Sequence, residues 1–203
     1  DGPQVDAEIE EIEIKKLMKW DFVEKIKDSL KITGLKIIQP DIFYDFRGEY
    51  VETFNASSYA FQDEQGQAIQ FVEDDVSMSR QHVLRGLHGD GNTWKLIQCL
   101  MGEFYYVVVD MRRHSPTYRQ WESYILNERN RTQVLVPAGC ANGHLVLSDR
   151  CLFSYKQSQY YSGMQQQFTV RWNDPALNIF WPVPQPFLSE RDRQAKDIDT
   201  WEQ

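Results

Sequence analysis

Long apolar runs are missing from this 203-residue chain. No stretch reaches the roughly 18 consecutive apolar residues that a membrane-spanning helix needs, so no bilayer partner is expected. Paired cysteines are missing too. Cys99, Cys140 and Cys151 are the only three, widely spaced in or beside apolar runs with no C-x-x-C. That excludes a disulfide framework and reads as reduced, buried thiols in a cytoplasmic setting. A positive excess is also absent: 22 Lys and Arg stand against 30 Asp and Glu, a net charge of −8. Nucleic acid and anionic membrane are thereby excluded as main partners, while a local Arg/Lys cluster can still hold an anionic ligand. The first residues are acidic and lack the basic flank and apolar core of a secretion signal. The sequons at Asn55 and Asn130 therefore read as chance matches. No internal repeat or low-complexity tract occurs. What remains, 41% hydrophobic and 26% charged, suits one globular domain around one core.

Three segments follow from the patterning. Residues 1–33 form an N-terminal extension in which Leu17, Trp20, Val23, Ile26 and Leu30 recur at spacings of three and four, predicting a peripheral helix. Ile9, Ile12 and Ile14 fit strand or helix. From Gly34 to residue 187 short β-rich runs alternate with Gly, Pro, Asn and Asp, interrupted at Asn55–Gln67 by a predicted short helix and polar loop. Frequent short strands indicate an all-β sandwich or barrel, and a closed set of them a jelly roll. Residues 188–203 form a tail, with a short polar helix expected after P-V-P-Q-P.

Chemistry concentrates in V-L-R-G-L-H-G-D-G-N-T-W-K-L, from Val83 to Leu96. If this is a regular strand, Arg85 and Leu87 share one face, Gly86 and His88 the other. Metal-binding jelly rolls present a His-x-His pair, a Glu and a later His. Here Asp90 stands two residues after His88, Trp94 and Lys95 occupy the Glu place, and Asn142 stands at the last position. Amide oxygen is a poor transition-metal ligand, so no metal or other cofactor is expected. A proton-transfer set remains. His88 serves as a general base if a carboxylate fixes its tautomer, Lys95 steadies an oxyanion, and a Tyr returns a proton. Two Arg forks suit a diphosphate. The bland alternatives are a structural His88, a strand-edge Lys95, Tyr155 as barrel wall and Asp192 as a solvated tail charge.

An ordered series of motifs resembles the dTDP-4-dehydrorhamnose 3,5-epimerases, metal-free members of the cupin superfamily. The series includes D-F-R-G-E at Asp45, F-V-E-D-D at Phe71, V-L-R-G-L-H at Val83, K-L-I-Q-C at Lys95, V-P-A-G at Val136, S-Y-K at Ser154 and L-S-E-R-D at Leu188. It covers Gly34 to Arg193. The resemblance implies a cupin jelly-roll homodimer that acts on a nucleotide-diphosphate 4-keto-6-deoxy sugar. It makes His88 the base beside the C4 ketone, Asp192 its partner, Lys95 the enolate stabiliser and Tyr155 the proton donor on the opposite face. Arg85 and Arg47 would hold the diphosphate, Arg47 from the other subunit, with Glu52, Glu73, Asp75, Asn142 and His144 as further substrate-binding positions.

This chain departs from the usual pattern at three places. Glu73 and Asp75 replace the amides of F-V-Q-D-N, Asn142 replaces a histidine with His144 two residues on, and G-D-G-N-T-W follows His88. These features are closest in motif to epimerases of GDP-linked heptose or mannose-type sugars, so a GDP-linked substrate is expected ahead of a dTDP-linked one. The competing readings are a 3,4-ketoisomerase, which the Asp90 position disfavours, and a non-catalytic sugar-nucleotide-binding cupin.

Overall fold

The computed structural model describes residues 25–202. Thirteen strands are assigned there, in two antiparallel sheets and a separate hairpin. The six-stranded sheet runs β1 (Ile26–Asp28), β2 (Lys36–Ile38), β10 (Gln133–Val136), β7 (Lys95–Met101), β12 (Arg150–Gln157), β5 (Glu73–Arg80). The five-stranded sheet runs β13 (Phe168–Thr169), β6 (Leu84–Gly89), β11 (Cys140–Val146), β8 (Glu103–Asp110), β9 (Trp121–Asn127). The hairpin pairs β3 (Ile42–Asp45) with β4 (Gly48–Val51). This is the expected all-β jelly roll. Among the described residues no helix is long and apolar enough to cross a membrane.

Side-chain alternation explains how one strand serves two cores. Along β8, Phe104, Tyr106 and Val108 point between the sheets, where they meet Ile97, Cys99, Val134, Val136 and Phe153. The intervening Tyr105, Val107 and Val109 point outward and are equally hidden, under Val170, Leu177, Ile179 and Ile198 of the C-terminal segment. A strand covered on both faces reads as a continuous apolar run, which is how E-F-Y-Y-V-V-V-D appears in the sequence. The six-stranded sheet is covered likewise: Tyr59 and Phe61 pack on Leu96, Leu135 and Ile38.

Three expectations need correction. Ile26 belongs to β1, paired with Ile38 of β2, and Leu30 is 99% exposed, so the helical stripe does not continue here. A spacing of three or four over so short a window does not separate helix from strand once a sheet edge is available. Leu17, Trp20 and Val23, with Ile9, Ile12 and Ile14, lie outside the described residues. Ile32, fully buried, is part of the core before Gly34 is reached. Between Asn55 and Gln67 there is no helix but two side-chain-stabilised turns. Asn55 Oδ1 accepts from Ser57 N–H at 3.0 Å, and Asp63 Oδ1 from Gln65 and Gln67 N–H at 2.9 and 2.8 Å. Ala68 forms a single isolated bridge to Gln62. In the tail, helix α1 is one turn, Glu190–Arg193, capped by Ser189, and a 3-10 turn spans Ile198–Glu202.

Candidate active site

A cavity of about 620 Å³ opens between the sheets, walled by Arg85, His88, Lys95, Asn142, His144, Tyr155 and Asp192 among others. Its geometry starts from an irregularity in β6. Opposite β11, His88 pairs with Asn142 and Arg85 with His144, three residues against two. The extra residue is a bulge, which brings two side chains three apart onto one face. Arg85 and His88 therefore both face the cavity, contrary to the strict alternation expected, while Leu87 is fully buried in the outer core. Gly86 permits this. Its φ is +126°, and a Cβ there would lie 2.6 Å from Gly143 Cα and 2.7 Å from the Asn142 carbonyl oxygen.

The tail reaches the same place through backbone. Val83 and Phe187 form a parallel bridge, with Leu84 N–H donating to the Phe187 carbonyl at 3.0 Å and Phe187 N–H to that of His82 at 2.8 Å. Helix α1 follows at once and turns Asp192 inward, 3% exposed. Its Oδ1 lies 2.5 Å from His88 Nε2, and its Oδ2 accepts from Gly86 N–H at 3.3 Å. Burial alone would raise the Asp192 carboxyl. The His88 contact, with Gly86 and Ser189, outweighs that and holds it below the usual carboxylate range.

Lys95, at the start of β7, has its Nζ 5.2 Å from the centre of the Tyr155 ring. Burial lowers its pKa against the opposing pull of Asp90 and Asp75. Tyr155, on β12, is pushed up to about 12 by burial and then by the Asp75 carboxylate beside it, so it stands as a phenol. Asn142 donates its amide to the His88 carbonyl at 3.2 Å. His144, on the same face as Asn142 as the extended pattern predicts, stacks on Phe153 at 4.0 Å and 5°. Burial, then the charges of Arg85 and His88, drive it down to about 3. Its imidazole is therefore neutral and lies flat against an aromatic ring.

Other expected residues stand apart. Arg47 sits in the turn of the exposed hairpin, its Nη2 2.5 Å from Asp45 Oδ2, and Glu52 lies near Asn55; within one chain neither borders the cavity. Glu73 and Asp75 stand behind the wall, bound by the Gln157 amide at 2.6 and 3.1 Å, with Tyr161 N–H also on Glu73. Asp90, the residue that breaks His-x-His, accepts from Asn92 and Thr93 N–H at 2.8 Å and so closes its own turn. Among the described residues no three His, Cys, Asp or Glu side chains converge as a metal site. One wall residue escaped sequence reasoning. Arg191 holds Thr169 Oγ1 at 2.8 Å and Gln167 Oε1 at 3.2 Å, leaving Nη2 buried without a hydrogen-bond partner. Its signal is the arginine of L-S-E-R-D, one residue before Asp192.

A jelly roll whose pocket gathers His88, Asp192, Lys95 and Tyr155 defines a class, the cupin-type carbohydrate isomerases. The chain belongs to the dTDP-4-dehydrorhamnose 3,5-epimerase family, whose profile matches residues 29–200. A dTDP-4-dehydrorhamnose 3,5-epimerase of Shigella flexneri is 39% identical over 165 residues, 80% of this chain and 90% of that one. The dTDP-6-deoxy-D-glucose-3,5-epimerase of Legionella pneumophila, solved in complex with dTDP-4-keto-L-rhamnose, superposes with a TM-score of 0.78 at 40% identity, covering 86% and 92% of the two chains. A 3'-monoepimerase of Streptomyces bikiniensis, in complex with dTDP-quinovose, gives 0.78 at 29% identity, over 87% and 89%. The protein is thus an isomerase of the epimerase type. The GDP-linked expectation is corrected: these relatives are named for, or solved with, dTDP-linked sugars. The acids that suggested guanine are occupied by Gln157 and Tyr161 instead of lining the cavity.

Proposed function

We propose that this chain inverts carbon centres of a dTDP-linked 4-keto-6-deoxy sugar by removing and returning protons beside the C4 ketone. The observation that carries the reading is the 2.5 Å contact of His88 with buried Asp192 in a cavity that also holds Lys95 and Tyr155. His88 takes the proton, and Asp192 stabilises the imidazolium that results. The electron pair left by the C–H bond moves onto the ketone oxygen, where the Lys95 ammonium meets it. Tyr155 then forms the new C–H bond from the other face, and the configuration inverts. A positioned acid or base contributes about 10²–10⁴-fold, and a fixed oxyanion partner about 10²–10³-fold. Arg85 and Arg191 supply cationic forks for the diphosphate.

The reading includes a homodimer in which Arg47 serves the partner's cavity. Support comes from the hairpin that carries it, which exposes Phe43, Tyr44, Phe46 and Tyr50.

The test is deuterium uptake from heavy water into a dTDP-linked 4-keto-6-deoxy hexose. Wild type is expected to label the carbons beside the ketone, and His88→Asn to do so about a thousandfold more slowly. Tight binding with no exchange would leave a binding-only cupin, and migration of the carbonyl to C3 would make it a ketoisomerase. Either result overturns the proposal.

A further inference from the structure

Tyr155 gives up a proton in each inversion and must regain one before the next. We propose that the Asp75–Glu73 pair behind it is the reservoir that recharges it, a role that rests on the epimerase reading. The sheet register sets this up. On β12, Tyr155 lies opposite Asp75 and Gln157 opposite Glu73, so the phenol, the bridging amide and both carboxylates share one face. One Gln157 amide nitrogen donates to Glu73 Oε1 at 2.6 Å and Asp75 Oδ2 at 3.1 Å, which ties the two acids to one point.

A second carboxylate held this close disfavours ionisation of Asp75 and raises its carboxyl. Asp75 is indeed raised, by burial first and then by Glu73, against opposing contributions from Tyr155 and Lys95. The groups facing it are Glu73 on its own strand, Tyr155 and Gln157 on β12, and Lys95 on β7. Asp74, between the two acids, points the other way and pairs with Lys156 at 2.8 Å.

The balance is simple. The Tyr155 O–H bond breaks as the sugar C–H bond forms, leaving a phenolate. A phenol pushed up to about 12 leaves a strongly basic phenolate, which draws the proton from the carboxylate pair. The pair then takes one from solvent, while His88 returns its own to solvent. Net proton count is unchanged over a turnover.

The experiment compares wild type with Asp75→Asn and Glu73→Gln in rapid-quench and steady-state assays. The first turnover should be the least affected in both variants, since Tyr155 starts protonated. Later turnovers should slow by roughly tenfold or more, giving a burst of one product per site with KM unchanged. The wild-type kcat should fall on the alkaline side as Asp75 loses its proton, and that limb should vanish in Asp75→Asn. A raised KM with unchanged kcat would make the acids ligand contacts and overturn the relay. So would a first turnover slowed as much as the rest, or no effect at all. Because wild-type deuterium uptake is measured alongside, failure of the relay is distinguished from failure of the epimerase reading. If one variant does not fold, the other carries the test.

Discussion

Asp110 and Asp192 are both shut away from solvent, 0% and 3% exposed, and both are held below the ordinary carboxylate range against a burial penalty. Their partners separate them. Asp110 meets Arg112 through Nε at 2.8 Å and Nη2 at 2.9 Å, and accepts from Ser115 and Thr117 hydroxyls at 2.5 and 2.7 Å. Arg112 in turn holds the Thr33 carbonyl at 2.6 Å and Glu64 Oε1 at 2.9 Å, fastening the first described segment to the barrel. A guanidinium never releases its proton, so this pair can only clamp. Asp192 faces histidine, the side-chain type that ordinarily changes charge near neutrality, and His88 is partly open to the cavity. The same desolvated carboxylate is structural in one place and, in the proposed mechanism, supports the base in the other, and the partner decides which.

Substitutions at the two aspartates should break in opposite directions. Asp192→Asn is expected to lower kcat by about a hundredfold or more while shifting the melting point little, because the amide still fills the space. Asp110→Asn should cost roughly 1.5–3 kcal/mol of stability by weakening the charge-assisted bonds to Arg112, with kcat of the folded fraction retained. Denaturant unfolding and steady-state kinetics on both variants check this. Equal losses of activity in the two would erase the distinction.

Gly86→Ala tests whether the bulge, not the residues alone, makes the site. The added Cβ meets Gly143 Cα at 2.6 Å at a φ of +126°. Strain of about 1–3 kcal/mol is expected, together with a kcat loss as Arg85 and His88 move. Thermal melts and kinetics measure both, and a stable, fully active variant would contradict the geometry.

The smallest effect is on acid stability. Both carboxyls have folded pKa values below their unfolded ones, so their stabilisation is complete above the unfolded value and is lost as pH falls through the folded one. Melting temperature should drop between about pH 4 and pH 2, less steeply in Asp110→Asn than in wild type.

How much of this was legible in the sequence follows from which facts are local. The short β runs announced the jelly roll because alternation and two-sided burial leave their mark on composition, as in β8. The motif around His88 located the cavity. That Arg85 shares its face was hidden, since the bulge depends on how β11 pairs. The burial of Asp192 was hidden for a similar reason. It sits 104 residues from His88 and is brought there by the Val83–Phe187 bridge, a contact without a local signature. Ile26 shows the opposite failure, a local helical spacing overridden by an available sheet edge.

Central to this account is a base on one face and a donor on the other, and Tyr155→Phe in heavy water separates them. Incubated with a dTDP-linked 4-keto-6-deoxy hexose, that variant should still exchange the proton beside the ketone for deuterium, with configuration retained and inverted product reduced about a hundredfold. Inversion at the wild-type rate, or exchange lost in step with inversion, would contradict it.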